Sequence, residues 1–130
     1  MAYSAEGQPS NSDLIRFAKW SALDMGTEDI NGFWELFWAM RTDFPDIDDD
    51  LLLQASQQAL IDLVEYRLVR VVWWNPETDT DTDISPSEIA GLISDHKHWE
   101  PPRTVSSEHL RFITTPTGDR AYYAGLTASP

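Results

Sequence analysis

The feature that constrains the fold most is a change of hydrophobic period in the middle of the chain. Between residues 48 and 66 the apolar side chains recur three and four positions apart, which predicts an amphipathic helix. The next segment, LVRVVWW at 68–74, is β-branched and aromatic and predicts a strand. A second alternating segment, HLRFITT, follows at 109–115. A domain that contains both periods must pack helices against a small sheet.

Other segments have the spacing or the end signals of helices. A first helix is predicted over residues 12–25, and Gly26 is expected to stop it. A second is predicted over 27–44, where apolar side chains cover an arc of roughly 200° at 100° per residue. We expect that helix either to be central or to be covered also by a partner. Further helices are predicted at 85–96 and 119–126.

Length and composition indicate one domain without covalent cross-links. The chain has 130 residues, 42% of them hydrophobic, and no cysteine. We therefore expect a single domain at residues 12–126 after a flexible lead-in at 1–11, with neither disulfides nor thiolate chemistry. The first residues lack the pattern of a signal peptide, and no apolar run reaches the ~18 residues of a membrane helix. These features predict a cytoplasmic protein that does not bind membranes.

Residues 48–123 resemble the winged-helix superfamily. The helix at 48–66 runs directly into a strand, and the second strand ends in ITTPTG at 113–118, close to the Leu-Thr-Pro-x-Gly of bacterial winged-helix regulators. The resemblance implies an α+β, mostly helical fold with a two-stranded antiparallel hairpin, the wing. Because 34 residues separate Trp74 from His109, an extra helix is expected inside the wing.

The charge of the chain opposes the usual function of that superfamily. The sequence has 22 Asp and Glu against 9 Lys and Arg, a formal net charge of −13. Residues 24–50 contain nine acids and one base, and residues 75–100 contain seven acids and one base. Since DNA binding is driven largely by Lys and Arg at the phosphates, binding to nucleic acid is expected to be weak. The alternative is a dimeric transcriptional regulator that reads DNA through Gln54, Gln57, Gln58 and Arg111.

The acidic segment ETDTDTD at 77–83 contains a partial calcium-loop pattern. Counted from Asp79, the sixth and twelfth positions of an EF-hand would hold Gly and Glu, but here they hold Ile84 and Ala90. The segment is therefore predicted to be a solvated loop.

The sequence has no phosphate loop, nucleophile elbow or HExxH motif, so we expect no metal, no cofactor and no catalysis.

Tryptophan is the best indicator of function in this sequence. Trp73 and Trp74 are consecutive on a predicted strand, so they must point to opposite faces of the sheet. Either the helix at 85–96 and the segment around Trp99 cover the second face, or a partner or a second copy does.

We therefore predict a non-catalytic interaction protein that binds a basic partner, as immunity proteins, antitoxins and DNA mimics do. A small-molecule sensor or an enzyme is a third alternative. The candidate partner-binding residues are Trp34, Trp38, Trp74, Asp79, Asp81, Asp83 and Trp99.

Overall fold

Helices make up most of the chain, and a four-stranded antiparallel sheet lies against them. The computed structural model describes residues 9–28, 31–101 and 108–128, so residues 1–8 of the predicted lead-in lie outside the described residues. The elements, in chain order, are α1 (Asn11–Glu28), β1 (Asn31–Gly32), α2 (Phe33–Asp43), α3 (Asp49–Glu65), β2 (Val69–Asn75), β3 (Thr80–Asp83), α4 (Pro86–Ser94), a 3-10 helix (His96–Trp99), β4 (His109–Thr114) and α5 (Pro116–Ala128). The prediction of an α+β, mostly helical fold is confirmed.

The sheet has the strand order β1-β4-β2-β3. The two predicted strands are its centre, with Val71 opposite Phe112 and Trp74 opposite His109. Two further strands extend the predicted two-stranded pairing, and the prediction of a loop at 77–83 is wrong for residues 80–83, which form β3 and pair with β2. Every β3 side chain is exposed, so this edge strand has no apolar residue by which a buried face could be recognised.

The short strand β1 replaces the predicted start of the second helix. Asn31 and Gly32 pair with β4, and α2 begins only at Phe33. The side chain of Asn31 donates a hydrogen bond of 2.9 Å to the carbonyl oxygen of Met25, near the end of α1. This contact and the strand pairing replace the helical hydrogen bonds that these two residues would otherwise make.

Gly26 does not stop α1, which continues to Glu28. A Cβ atom at residue 26 would lie 2.2 Å from the Thr114 hydroxyl oxygen, on the last residue of β4. The absence of a side chain at Gly26 therefore allows α1 to approach the sheet closely, which is a packing role rather than a helix-ending role.

The other helices lie close to their predicted bounds. The Asp48 side chain caps α3 by accepting a hydrogen bond from the backbone N–H of Asp50. The helix α4 ends at Ser94, and the 3-10 helix follows it. The helix α5 begins at Pro116, three residues earlier than expected, which suits a proline because its fixed φ and missing N–H are tolerated in the first turn.

The core lies between the helices and one face of the sheet. Phe33, Leu36 and Met40 of α2 are fully buried in it. The helical spacing over residues 48–66 places Tyr66 among the inward apolar residues, but its side chain is 72% exposed because it lies just beyond the end of α3. The buried side chains of the sheet are Val69, Val71, Val72, Leu110, Phe112 and Thr114.

Candidate protein-interaction site

The two faces of the sheet differ in what they contact. Val69, Val71 and Trp73 of β2 point to the helices and belong to the core or pack against it. The residues between them point to the other side, which we call the outer sheet face. By strand register, the outer sheet face carries Arg70, Val72, Trp74, Asp81, Asp83, His109, Arg111 and Ile113.

Trp74 lies at the centre of a group of polar and aromatic contacts on the outer sheet face. Its indole N–H donates a hydrogen bond of 3.2 Å to the Asp79 carboxylate. The Arg111 guanidinium carbon lies 4.3 Å from the centre of the indole ring, in a cation–π contact. The His109 ring packs edge-on at 5.2 Å. Trp74 therefore has a fixed orientation even though it is only partly buried.

Trp34 extends this group from α2. Its ring lies 5.0 Å from the ring of His109, so the histidine contacts both tryptophans. The Trp34 ring also lies over Gly32, where a Cβ atom would be 1.8 Å from it. We call Trp34, Trp74, His109 and Arg111 the aromatic cluster. His109 was not a candidate from sequence, since only the pairing of β2 with β4 reveals that it faces Trp74.

The hairpin between β2 and β3 supplies the acids beside the aromatic cluster. The Asn75 side-chain oxygen accepts a hydrogen bond of 2.9 Å from the backbone N–H of Glu77, which forms the turn. Asp79 has a φ of 51°, a left-handed conformation that aspartate tolerates better than most residues. We call residues 75–83 the acidic hairpin. Its four carboxylates, Glu77, Asp79, Asp81 and Asp83, are all exposed.

The acidic hairpin is only partly neutralised. Asp83 pairs with Arg70, whose Nε lies 3.1 Å from Oδ1. Asp79 accepts its hydrogen bond from the Trp74 indole, which is uncharged and does not offset the carboxylate. Among the described residues, no base lies within 4.0 Å of Asp81. A negative potential therefore remains next to the two partly exposed tryptophans.

Two other candidate tryptophans lie outside the aromatic cluster. Trp38 is 50% exposed on α2, one helical turn after Trp34, beside Arg41 and Phe44. Trp99 is 3% exposed, packs 5.0 Å from the ring of Phe33, and donates a hydrogen bond of 2.8 Å to the Ile93 carbonyl oxygen. The structure thus places the Trp99 side chain in the core, not on the surface that the prediction of partner binding assumes.

The residues proposed for DNA reading are not brought together. The Gln57 side chain donates a hydrogen bond of 3.3 Å to the Ser94 carbonyl oxygen, because α4 packs along α3. Gln58 donates to Asp62 at 2.8 Å, and Gln54 is exposed. These side chains belong to the helical layer, whereas Arg111 lies on the opposite side of the sheet.

The groups with shifted pKa values lie away from the aromatic cluster, in and beside the 3-10 helix. Burial lowers the pKa of His98, whose ring packs edge-on against Trp73 at 5.5 Å. The pKa of Asp95 is lowered by the hydrogen bond from the Lys97 backbone N–H. Within residues 9–28, 31–101 and 108–128, no three His, Asp or Glu side chains are arranged to hold a metal ion.

Comparison with protein-family models, with curated proteins and with solved structures gives no match for this chain. None of the helices in the described part has both the length and the apolar character needed to span a bilayer.

Proposed function

We propose that this protein is a non-catalytic interaction module on a winged-helix-like scaffold, and that it binds a basic protein through the outer sheet face. One observation carries the proposal: two partly exposed tryptophans and the acidic hairpin lie on the same face of the sheet. The acidic surface would recognise its basic partner in the manner of immunity proteins, antitoxins or DNA mimics.

The order of elements supports the winged-helix-like scaffold. The helix α3 leads directly into β2, the return strand β4 pairs antiparallel with β2, and the chain then enters α5 at Pro116. Between β2 and β4 lie β3, α4 and the 3-10 helix, in agreement with an enlarged wing. In this interpretation the acidic hairpin is the first part of the wing.

The contacts of the aromatic cluster favour a protein partner. Tryptophan and arginine are the residue types most enriched among those that dominate binding energy in interfaces. Trp74 is already held by its hydrogen bond to Asp79 and by its contact with Arg111, so little side-chain entropy would be lost when a partner covers it. Carboxylates at the edge of such a patch attract Lys and Arg and raise the association rate.

The contacts of α3 disfavour the alternative of DNA reading. An α-helix reads bases by entering the major groove, and α4 lies against α3 with Gln57 bonded to it. The carboxylates near both ends of α3, Asp48 to Asp50 and Glu65, would also face the phosphates.

The test is capture of basic proteins by the immobilised chain and by two variants of equal charge. One variant is Asp79→Asn, Asp81→Asn, Asp83→Asn, in the acidic hairpin. The matched control is Glu65→Gln, Glu88→Gln, Glu100→Gln, which removes three charges from exposed sites elsewhere. We expect the hairpin variant to lose capture and the control to retain most of it, with both effects weaker at high salt.

Equal loss in the two variants would show that net charge alone attracts the basic proteins, and would overturn the proposal. Retained capture in the hairpin variant would overturn it as well. A Trp74→Ala variant tests the aromatic contribution separately, because it changes no carboxylate. We expect it to weaken capture about tenfold, and a change in charge could not explain that loss.

A further inference from the structure

A depression of about 510 Å³ lies where α2 ends and the chain turns into α3. Its lining residues are Trp38, Arg41, Thr42, Phe44, Pro45 and Asp49. Neither the core nor the aromatic cluster includes Trp38, and the proposed function has so far used only the outer sheet face.

The apolar part of this depression has a buried aromatic base. Phe44 is 5% exposed, and its ring packs edge-on against Phe17 at 5.0 Å. Trp38 forms one wall and keeps half of its surface in solvent. Leu51, in the first turn of α3 nearby, is 42% exposed. An exposed tryptophan beside an aromatic base is a suitable receptor for one large apolar side chain.

The surroundings of the depression are strongly acidic. The segment from the last residue of α2 to the first turn of α3 carries five exposed carboxylates within eight residues. The one base at the depression, Arg41, is engaged by Asp49 at 3.5 Å and lies 5.6 Å from the centre of the Phe37 ring. The five carboxylates belong to Asp43, Asp46, Asp48, Asp49 and Asp50.

This charge decides which occupant fits. A second copy of the chain carries a net charge of −13 and would be repelled, as would nucleic acid. A segment with Lys or Arg around an apolar side chain matches both the acidic rim and the apolar base.

The depression also continues the outer sheet face. Trp34 and Trp38 are four residues apart on α2, so they lie on the same side of the helix about 6 Å apart along its axis. A partner that covers Trp34 in the aromatic cluster would therefore extend over Trp38.

We propose that the depression receives an apolar side chain from a basic amphipathic segment of the partner. This rests on the proposed function for the basic character of the partner and adds a second anchoring point. The recognised chemistry is a leucine-like or aromatic side chain flanked by lysine or arginine.

The test uses a fluorescently labelled peptide of leucine and lysine in which the leucines recur three and four positions apart. Its control is the same peptide with serine in place of leucine. We expect the leucine peptide to bind the intact protein at least about tenfold more tightly than the serine peptide, measured by fluorescence anisotropy at low salt. Trp38→Ala should remove about tenfold of that affinity, whereas Tyr66→Ala, which truncates another exposed aromatic residue, should change it less than about twofold.

Equal binding of the two peptides, or unchanged affinity in Trp38→Ala, would overturn the inference. If the Asp79→Asn, Asp81→Asn, Asp83→Asn variant loses binding while Trp38→Ala retains it, the proposed function stands and the second anchoring point fails. The reverse pattern supports the depression as a binding site and contradicts binding through the outer sheet face.

Circular dichroism checks that each variant is folded. If Trp38→Ala unfolds, Asp46→Asn, Asp50→Asn replaces it, and the absence of weakening there would count against the inference.

Discussion

The inner and outer faces of the same two strands show how structural and binding tryptophans differ. On the inner face, Val71 and Phe112 are buried and opposite each other, and Trp73 packs against the core. On the outer face, Trp74 is opposite His109 and contacts mainly polar or charged groups. A large side chain on the inner face stabilises the fold by excluding water, whereas Trp74 is held by directional contacts and keeps part of its ring exposed.

This difference suggests separate roles for residues that are neighbours in sequence. Loss of an inner side chain leaves a cavity, and its cost appears in the free energy of unfolding. Loss of an outer side chain leaves a site open to water, and its cost should appear mainly in binding.

The largest expected effect comes from Phe112→Ala compared with Trp74→Ala. Phe112 is fully buried, so its truncation should lower the free energy of unfolding by about 3–5 kcal/mol. Trp74→Ala removes a cation–π contact and an exposed hydrogen bond, and should cost about 1 kcal/mol. Urea unfolding of the two variants measures both values. A cost for Trp74→Ala equal to that of Phe112→Ala would contradict the assignment of roles.

An intermediate effect is expected from Gly32→Ala. The added methyl group would meet the Trp34 ring, which must move away from His109. Because the ring is the far end of a side chain, the loss of stability should be only about 1 kcal/mol, but capture of a basic partner should weaken. Thermal unfolding and the capture assay measure the two effects.

Gly91→Ala in α4 provides the control, since apart from its chain neighbours and the backbone of its own helix no atom lies within 4 Å of the added Cβ. It should raise the free energy of unfolding by about 0.4–1 kcal/mol and leave capture unchanged. Unaltered capture in Gly32→Ala would show that the position of Trp34 does not matter for binding.

The smallest effect concerns pH and belongs to the inner side of the sheet. Burial lowers the pKa of His98 below its ordinary value of 6.5, so the unfolded chain binds a proton more readily than the folded one. The stability contributed by neutral His98 is therefore complete above that value and is lost as the pH falls through it. When the pH is lowered from about 7.5 to about 5.5, the free energy of unfolding should fall less in the His98→Asn variant than in the unaltered protein. Parallel stability curves for the two proteins would contradict this.

Much of the helical layer was predictable because its signals are local. The bounds of α3 follow from its apolar spacing and from the acids at its start, and Asp48 forms the cap. The change of period after Tyr66 located β2 correctly to within one residue. The opposite directions of Trp73 and Trp74 follow from strand geometry alone.

The remainder depends on contacts between distant segments. The strand β3 has only Thr and Asp, so its assignment depends on pairing with β2 rather than on burial; the alternation TDTD is the signal that could have revealed it. His109 joins the aromatic cluster through strand register. The burial of Trp99 cannot be predicted from its neighbours in sequence, because its ring partner Phe33 is distant in the chain and its hydrogen-bond partner is a backbone carbonyl, that of Ile93.

The most direct test of the central claim is to follow the indole N–H signals of the six tryptophans by two-dimensional NMR while poly-lysine is added at low salt. Single Trp→Phe variants assign the signals. If the outer sheet face binds basic chains, the Trp34 and Trp74 signals shift, and that of Trp99, bonded to Ile93 inside the core, stays in place. The shifts should disappear in the Asp79→Asn, Asp81→Asn, Asp83→Asn variant. Shifts confined to Trp20 on α1, or unchanged Trp34 and Trp74 signals at saturating poly-lysine, would contradict the claim.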